Sequence, residues 1–262
     1  MPIPSARPII DLSGKIGLVL GIANEHSIAT GCAQRFVDAG AHLVATYLDD
    51  KARPFVEPVA RALPCDLLLP CDVRVNGALE SVFTAIRDRY GRLDFLLHAM
   101  AFAPREDLHA RVTDCSAVGF ALAMDVSCHS FIRCARLAEP LMAQGGALLS
   151  VSFYGAERVV EHYNLMGPVK AALESSVRYL AAELGPRHIR VNAVSPGPIA
   201  TRAASGIDRF DELLERAAHA APEHQRVTIE DVGALAAFLA SDAGARITGS
   251  IIPVDGGQHI MA

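Results

Sequence analysis

Seven short apolar runs, each separated from the next by a stretch of helical or loop character, recur along this 262-residue chain and leave few folds open. GLVLGIA (17–23), HLVATYLD (42–49), DLLLPCDV (66–73), LDFLLHAMAF (93–102), GALLSVSF (146–153), IRVNAVSP (189–196) and GSIIPVDGG (249–257) read as strands. Near-continuous apolar runs of this length belong to strands covered on both faces. Between them, SIATGCAQRFVDAG starts at a cap residue, Ser27, and stops at Gly40. NGALESVFTAIRDRYG (76–91) is amphipathic, a long helical region covers about 114–143, and a further helix carries LMGPVKAALESSVRYLAAEL. TIEDVGALAAFLASD (228–242) opens with a Thr-x-x-Asp capping pattern. The alternation predicts the α/β class: one doubly wound sheet of about seven parallel strands with helices on both faces. No linker, repeat or low-complexity tract interrupts it, so residues 1–262 are read as one domain. The least regular stretch, 197–227, begins at the carboxyl end of the sixth strand, where open α/β sheets bind ligands, and is expected to form a lid.

Charge and cysteine usage narrow the function classes. Net charge is −5 with Lys and Arg scattered, which excludes the basic face of a nucleic-acid binder. No run approaches the roughly 18 apolar residues of a membrane span. The first residues, MPIPSARPIIDLSGK, lack the basic, apolar and small-residue regions of a leader, so a cytoplasmic protein is expected. Six cysteines at 32, 65, 71, 115, 128 and 134 form no C-x-x-C pair and are expected as buried, reduced thiols. The ten histidines show no ligand spacing, and no metal site is expected.

The first strand runs into GIANEHSIATG, from Gly21 to Gly31. A glycine-bearing turn entering a helix presents unpaired N–H groups and the positive end of the helix dipole to a pyrophosphate. The regular G-x-G-x-x-G spacing is missing, and a plain strand–helix turn is the alternative. Position at the first turn of a Rossmann-type pattern favours the dinucleotide reading. Asp49 and Asp50 end the second strand, where a carboxylate can accept from an adenosine ribose hydroxyl; Lys51 and Arg53 could instead meet a 2′-phosphate. Solvated loop charges are the competing account of all four, and NADH is favoured over NADPH.

The chemistry-bearing stretch is SFYGAERVVEHYNLMGPVK (152–170). A tyrosine, with pKa near 10 in water, becomes useful beside a lysine ammonium that stabilises charge near its oxygen. Tyr163 and Lys170 are seven apart; at about 100° per residue they fall about 20° short of two full turns, so on one helix they share a face about 10 Å apart. A surface pair on an ordinary helix is the alternative.

Several motifs occur in order over nearly the whole chain: G-x(5)-SIA-x-G at 21–31, CDV at 71–73, GAER at 155–158, YN-x-MG-x-x-K at 163–170, VRYLA, IRVNA, GPI-x-T-x-AASGI at 197–207, VTIEDVG and VDGG. With them the chain resembles the NADH-dependent enoyl-acyl-carrier-protein reductases of bacterial fatty-acid synthesis, a divergent branch of the short-chain dehydrogenases. Ordinary members of that superfamily carry Tyr-x(3)-Lys, and position 167 here is glycine. The resemblance implies hydride transfer to the β-carbon of a trans-2-enoyl thioester. Tyr163 would donate to the thioester oxygen and Lys170 would hold the nicotinamide ribose. It further implies that Gly21, Ser27 and Ile28 contact the pyrophosphate side, Asp72 and Val73 border the adenine, and Met100 lines the nicotinamide ribose region. Ile199, Ala200, Thr201, Arg202 and Ala203 would embrace the nicotinamide amide, with Ala103 near the thioester and Phe153 lining the substrate pocket. Acyl carrier protein as partner and a homotetrameric assembly come from the same resemblance.

Four positions depart from the family pattern. Phe153 stands where the family has a second tyrosine and has no proton to give; Tyr154 follows on the opposite side of an extended segment. Leu48 replaces a polar residue near the adenosine, and Ala101 replaces a glycine in the cofactor-facing loop. Pro168 either bends a helix or lies in its first turn, where it is tolerated. The competing enzyme is a dehydrogenase acting on a ketone or alcohol, which the missing lysine at 167 opposes. The competing class is a non-catalytic NAD(H)-binding paralogue.

Overall fold

A computed structural model describes residues 8–261. The first seven residues of the stretch read as lacking a leader lie outside the described residues. All seven apolar runs become strands: β1 (Ile16–Leu20), β2 (His42–Tyr47), β3 (Cys65–Pro70), β4 (Phe95–His98), β5 (Gly146–Val151), β6 (Ile189–Pro196) and β7 (Ile251–Val254). They form one parallel sheet in the order β3-β2-β1-β4-β5-β6-β7. Parallel neighbours need long crossovers, which the intervening helices supply. Chain order reverses between β1 and β4, the switch point beside which open α/β sheets form a ligand crevice at the carboxyl ends of the strands.

The pleat divides the core in two. Leu18, Leu20, Leu96 and Leu148 face one side, where they meet α3 (Ala78–Tyr90), α6 (Ser130–Ala138) and α7 (Met166–Leu184). Val19, Phe95, Leu97 and Leu149 face the other, against α1 (Ile28–Asp38), α2 (Arg53–Ala62) and α9 (Ile229–Ala240). Phe36 and Phe95 are fully buried with ring centroids 4.7 Å apart. A third, smaller cluster of Leu108, Val160, Tyr163, Leu165, Met166 and Leu213 closes over the strand ends.

Six strands stop before their apolar runs do: β1 at Leu20, β2 at Tyr47, β3 at Pro70, β4 at His98, β5 at Val151 and β7 at Val254. Apolarity reports burial rather than pairing, and these runs continue into the crevice after the hydrogen-bond ladder stops. The helical region at 114–143 is divided: α5 (Ala117–Met124) passes through a π-helical turn at Asp125–His129 before α6. Residues 197–227 contain a 3-10 turn at Ala204–Gly206 and α8 (Phe210–Ala220), and a short α4 (Arg105–His109) follows β4. The glycine stop after α1 and the capping box of α9 hold as read from sequence, whereas Ser27 stands at the N-cap position of α1 without a side-chain cap bond. Gly40 (φ 94°) follows α1, and Thr228 and Asp231 form a reciprocal capping box at α9. No helix among the described residues is long and apolar enough to cross a membrane. Of the cysteines, 32, 71, 128 and 134 are buried, whereas Cys65 and Cys115, each at an element boundary, are partly exposed at the margin of a core cluster.

Candidate active site

Gly21 leaves β1 with φ 106°, and a Cβ there would lie 2.2 Å from Ala99 O, just beyond the end of β4. Only glycine lets the two strand ends approach this closely. Ser27 does not cap α1 forwards. Its Oγ accepts from Ala23 N (3.0 Å) and Asn24 N (3.1 Å), tightening the loop behind it. The first-turn N–H groups from Ile28 onward therefore face the crevice end of α1 without a side-chain cap. Gly31 serves another purpose than the loop: a Cβ there would meet Ile229 O at 2.3 Å, so it is the contact at which α9 packs on α1.

On the β2–β3 side, Asp72 is gripped by Arg74, with Nε to Oδ1 at 2.9 Å and Nη2 to Oδ2 at 2.7 Å. The Arg74 hydrogen bonds hold the Asp72 carboxyl below the usual carboxylate range. Arg74 in turn lies 5.7 Å from the Phe102 ring centre. Val73 is buried and its carbonyl accepts from Arg133 Nη2 at 2.9 Å. Asp49 Oδ1 accepts from Ala52 N at 2.8 Å, turning one carboxylate oxygen onto the approach to α2. Arg53 lies over the Tyr47 ring, while Leu48 is exposed. Met100 packs against the core beside the crevice.

The segment after β6 meets this loop. Ile199 and Ala200 share a cleft of about 290 Å³ with His26, Leu214 and Ile229. Thr201 Oγ1 accepts from Ala204 N at 3.2 Å, and Ala203 precedes the 3-10 turn. Arg202 points instead to α2, its guanidinium 5.6 Å from the Phe55 ring centre.

Tyr163 is not on the helix that carries Lys170. α7 starts at Met166, so the two-turn geometry drawn from the spacing does not apply, and Pro168 is the third helical residue, within the turn whose N–H groups lack partners. Two left-handed residues, His162 (φ 65°) and Asn164 (φ 38°), flank Tyr163. Asn164 tolerates this conformation, and its Nδ2 donates to Leu108 O at 2.8 Å. The Tyr163 ring is 8% exposed and 4.8 Å from that of Phe153, with Ala103 in the same cluster. Burial pushes its phenol above the ordinary range, and the Glu174 charge adds to this. It is a donor that keeps its proton.

Lys170 reaches the same strand end from α7: its Nζ donates to Val151 O at 2.6 Å. Burial pulls it down to about 8, against the opposing pull of Glu174 and Cys128. The Phe153 ring also meets Tyr154 at 4.9 Å, and Tyr154 points away toward Gln258.

Several residues here were not singled out from sequence. Glu174, one turn beyond Lys170, accepts from Ser152 Oγ at 2.5 Å, and its i,i+4 spacing is the signal that marks it. His98, at the end of β4, sits between Ser130 Oγ (2.7 Å) and Ser150 Oγ (3.1 Å). Ser127, on the π turn, accepts from Phe102 N at 2.9 Å and fixes the loop after β4. Nothing local in the sequence marks the last two, because their partners are remote.

Residues 21–259 match a family model described as enoyl-(acyl carrier protein) reductase. An NADH enoyl-acyl-carrier-protein reductase of Nostoc sp. is 45% identical over 97% of this chain and 99% of its own length. One from Rhizobium meliloti is 44% identical over 95% and 92%. Among solved structures, the reductase of Anaplasma phagocytophilum in complex with NAD superposes with a TM-score of 0.92 at 42% identity, covering 97% of this chain and 96% of the other. That of Bacillus cereus with NADP+ and an indole naphthyridinone gives 0.93 at 42% identity, covering 96% and 98%. The crevice at the β1–β4 reversal, the Tyr163–Lys170 strand end and these likenesses agree: the chain belongs to the enoyl-acyl-carrier-protein reductase family.

Proposed function

We propose that this protein reduces the trans-2 double bond of an enoyl-acyl-carrier-protein thioester with NADH, in the fatty-acid elongation cycle. The observation that carries the reading is the convergence at the end of β5. Tyr163 packs on Phe153, and Lys170 is bonded to Val151, two residues before it. Bound NADH supplies the hydride that goes to the β-carbon. The residues present fit the dinucleotide, since the loop leaving β1 at Gly21 leads into a first turn of α1 whose N–H groups have no side-chain cap.

Each residue role follows from its environment. Tyr163, protonated and dry, donates a hydrogen bond to the thioester oxygen as negative charge collects there; such a preorganised donor is worth about 3–4 kcal/mol. Lys170, cationic near neutrality, orients the nicotinamide ribose. Gly21, Ser27 and Ile28 line the pyrophosphate end, Asp72 and Val73 the adenine, and Met100 the ribose side. Ile199, Ala200, Thr201 and Ala203 cover the nicotinamide amide, with Arg202 turned toward α2, and the rest of 197–227 closes over the acyl chain with Ala103 and Phe153 beneath it. The acyl carrier protein delivers the substrate. A cytoplasmic homotetramer is the proposed form; Val118 on α5 and Tyr179 on α7 remain exposed and are apolar surface that assembly would cover.

NADH consumption with crotonyl thioester, run beside acetoacetyl thioester, tests the reading. Turnover confined to the enoyl substrate is expected. Activity on the ketone alone, or NADH binding without oxidation by any enoyl thioester, overturns it.

A further inference from the structure

Two ionisable side chains on adjoining turns of α7 grip consecutive residues at the end of β5. Lys170 holds the Val151 carbonyl and Glu174 holds the Ser152 hydroxyl. Both are enclosed, at 5% and 4% exposure. Withdrawing a carboxyl this far from water is costly, and an apolar side chain would serve packing better. The two groups do not share a hydrogen bond, so each acts on the other through space.

The surroundings of Lys170 contain few other charges. His98, from β4, is driven down to about 3 by burial first and the Lys170 charge second, and is neutral near neutrality. Cys128, from the π turn, is pushed up by burial and stays a thiol. Among the described residues Glu174 is thus the one carboxyl that draws Lys170 toward its charged form. Around Glu174 itself stand Glu157, beyond β5, and Arg178, on the next turn of α7, and burial raises its proton affinity against the bond from Ser152. Its charge also reaches Tyr163.

We propose that Glu174 is a positioning residue for this reaction: its carboxylate, anchored by Ser152, is the counter-charge that keeps Lys170 an ammonium ion within an enclosed site. The inference rests on the role given to Lys170 above. Glu174 touches no reacting atom; it acts through the lysine. While Glu174 is ionised Lys170 retains its proton to higher pH, and losing that charge lowers the pH at which Lys170 becomes neutral.

The chain has three lysines, Lys15, Lys51 and Lys170, so ¹³C-lysine NMR of the whole protein can follow Lys170 directly, its signal identified by loss in Lys170→Met. In the wild type a midpoint near 8 is expected. In Glu174→Gln, which keeps an acceptor for Ser152, the midpoint moves to lower pH; each unit is about a tenfold smaller ammonium fraction above it. Glu174→Asp, which keeps the charge, holds the midpoint near its wild-type position. An unmoved midpoint in Glu174→Gln overturns the inference. Should that variant fail to fold, the wild type still decides: the Lys170 signal shows a second, acidic inflection as Glu174 takes its proton, and a single inflection overturns the proposal. NADH affinity separates the two levels. Lys170→Met binding NADH as tightly as wild type refutes the role of Lys170 itself, whereas weaker binding with an unmoved midpoint in Glu174→Gln refutes the part assigned to Glu174 alone.

Discussion

The role proposed for Tyr163 rests on what surrounds it. An apolar cluster and the Phe153 ring withhold water, and the left-handed residues on either side aim the ring without help from a helix. Replacing it by phenylalanine preserves the packing and removes only the donor. Tyr163→Phe is expected to lower kcat by about 10²–10³-fold with little change in melting temperature, since one oxyanion donor is lost. Tyr154→Phe is expected to retain turnover and to lose about 1 kcal/mol of stability with the bond to Gln258. Steady-state rates and thermal melts of both variants check this, and the reverse pattern would move the chemistry to Tyr154. The absence of a hydroxyl at Phe153 was legible in the chain; the Arg74 fork on Asp72 was not, because it depends on how the turn after β3 folds back.

Helix pairing and capping decide how firmly the crevice is built. α1 and α9 meet with Gly31 against Ile229 O and Gly233 against Gly31 O, so neither position has room for a side chain. Gly31→Ala is expected to cost about 1–3 kcal/mol by forcing the helices apart. Because α1 carries the turn proposed to face the pyrophosphate, it should weaken NADH binding as well. Thr228→Ala, removing one arm of the α9 capping box, should cost about 1 kcal/mol and leave NADH affinity unchanged. Denaturant unfolding and NADH titration of both variants distinguish them; equal NADH affinity in the two would show that α1 is not displaced. The capping box was readable as Thr-x-x-Asp. The π turn at Asp125–His129 was not, since an extra residue per turn leaves the apolar pattern of a helix almost unchanged.

Across the whole molecule, the buried polar centre sets the response to acid. The His98 imidazole takes a proton only near 3 in the folded chain, against 6.5 for the exposed group. Its contribution to stability is complete above pH 6.5 and is lost progressively as pH falls toward 3, at most about 5 kcal/mol. Removing the imidazole should flatten that part of the curve. Melting temperatures of wild type and His98→Gln between pH 7 and 4 are expected to converge as pH falls; parallel curves would show that His98 does not drive the acid transition.

What the chain determines by itself is local. Runs of Leu, Val and Ile make strands buried on both sides, the spacing of caps and glycines ends the helices, and the ordered motifs bring Tyr163 and Lys170 into one short stretch. Only the tertiary structure decides which strands lie side by side, where the ladder ends within each apolar run, and that Tyr163 stands outside α7. It alone brings Glu174 to Ser152 and His98 between two serines. The physical reason is range. Propensity and periodicity act over a few residues, whereas pairing across a crossover depends on which face of the sheet each helix covers.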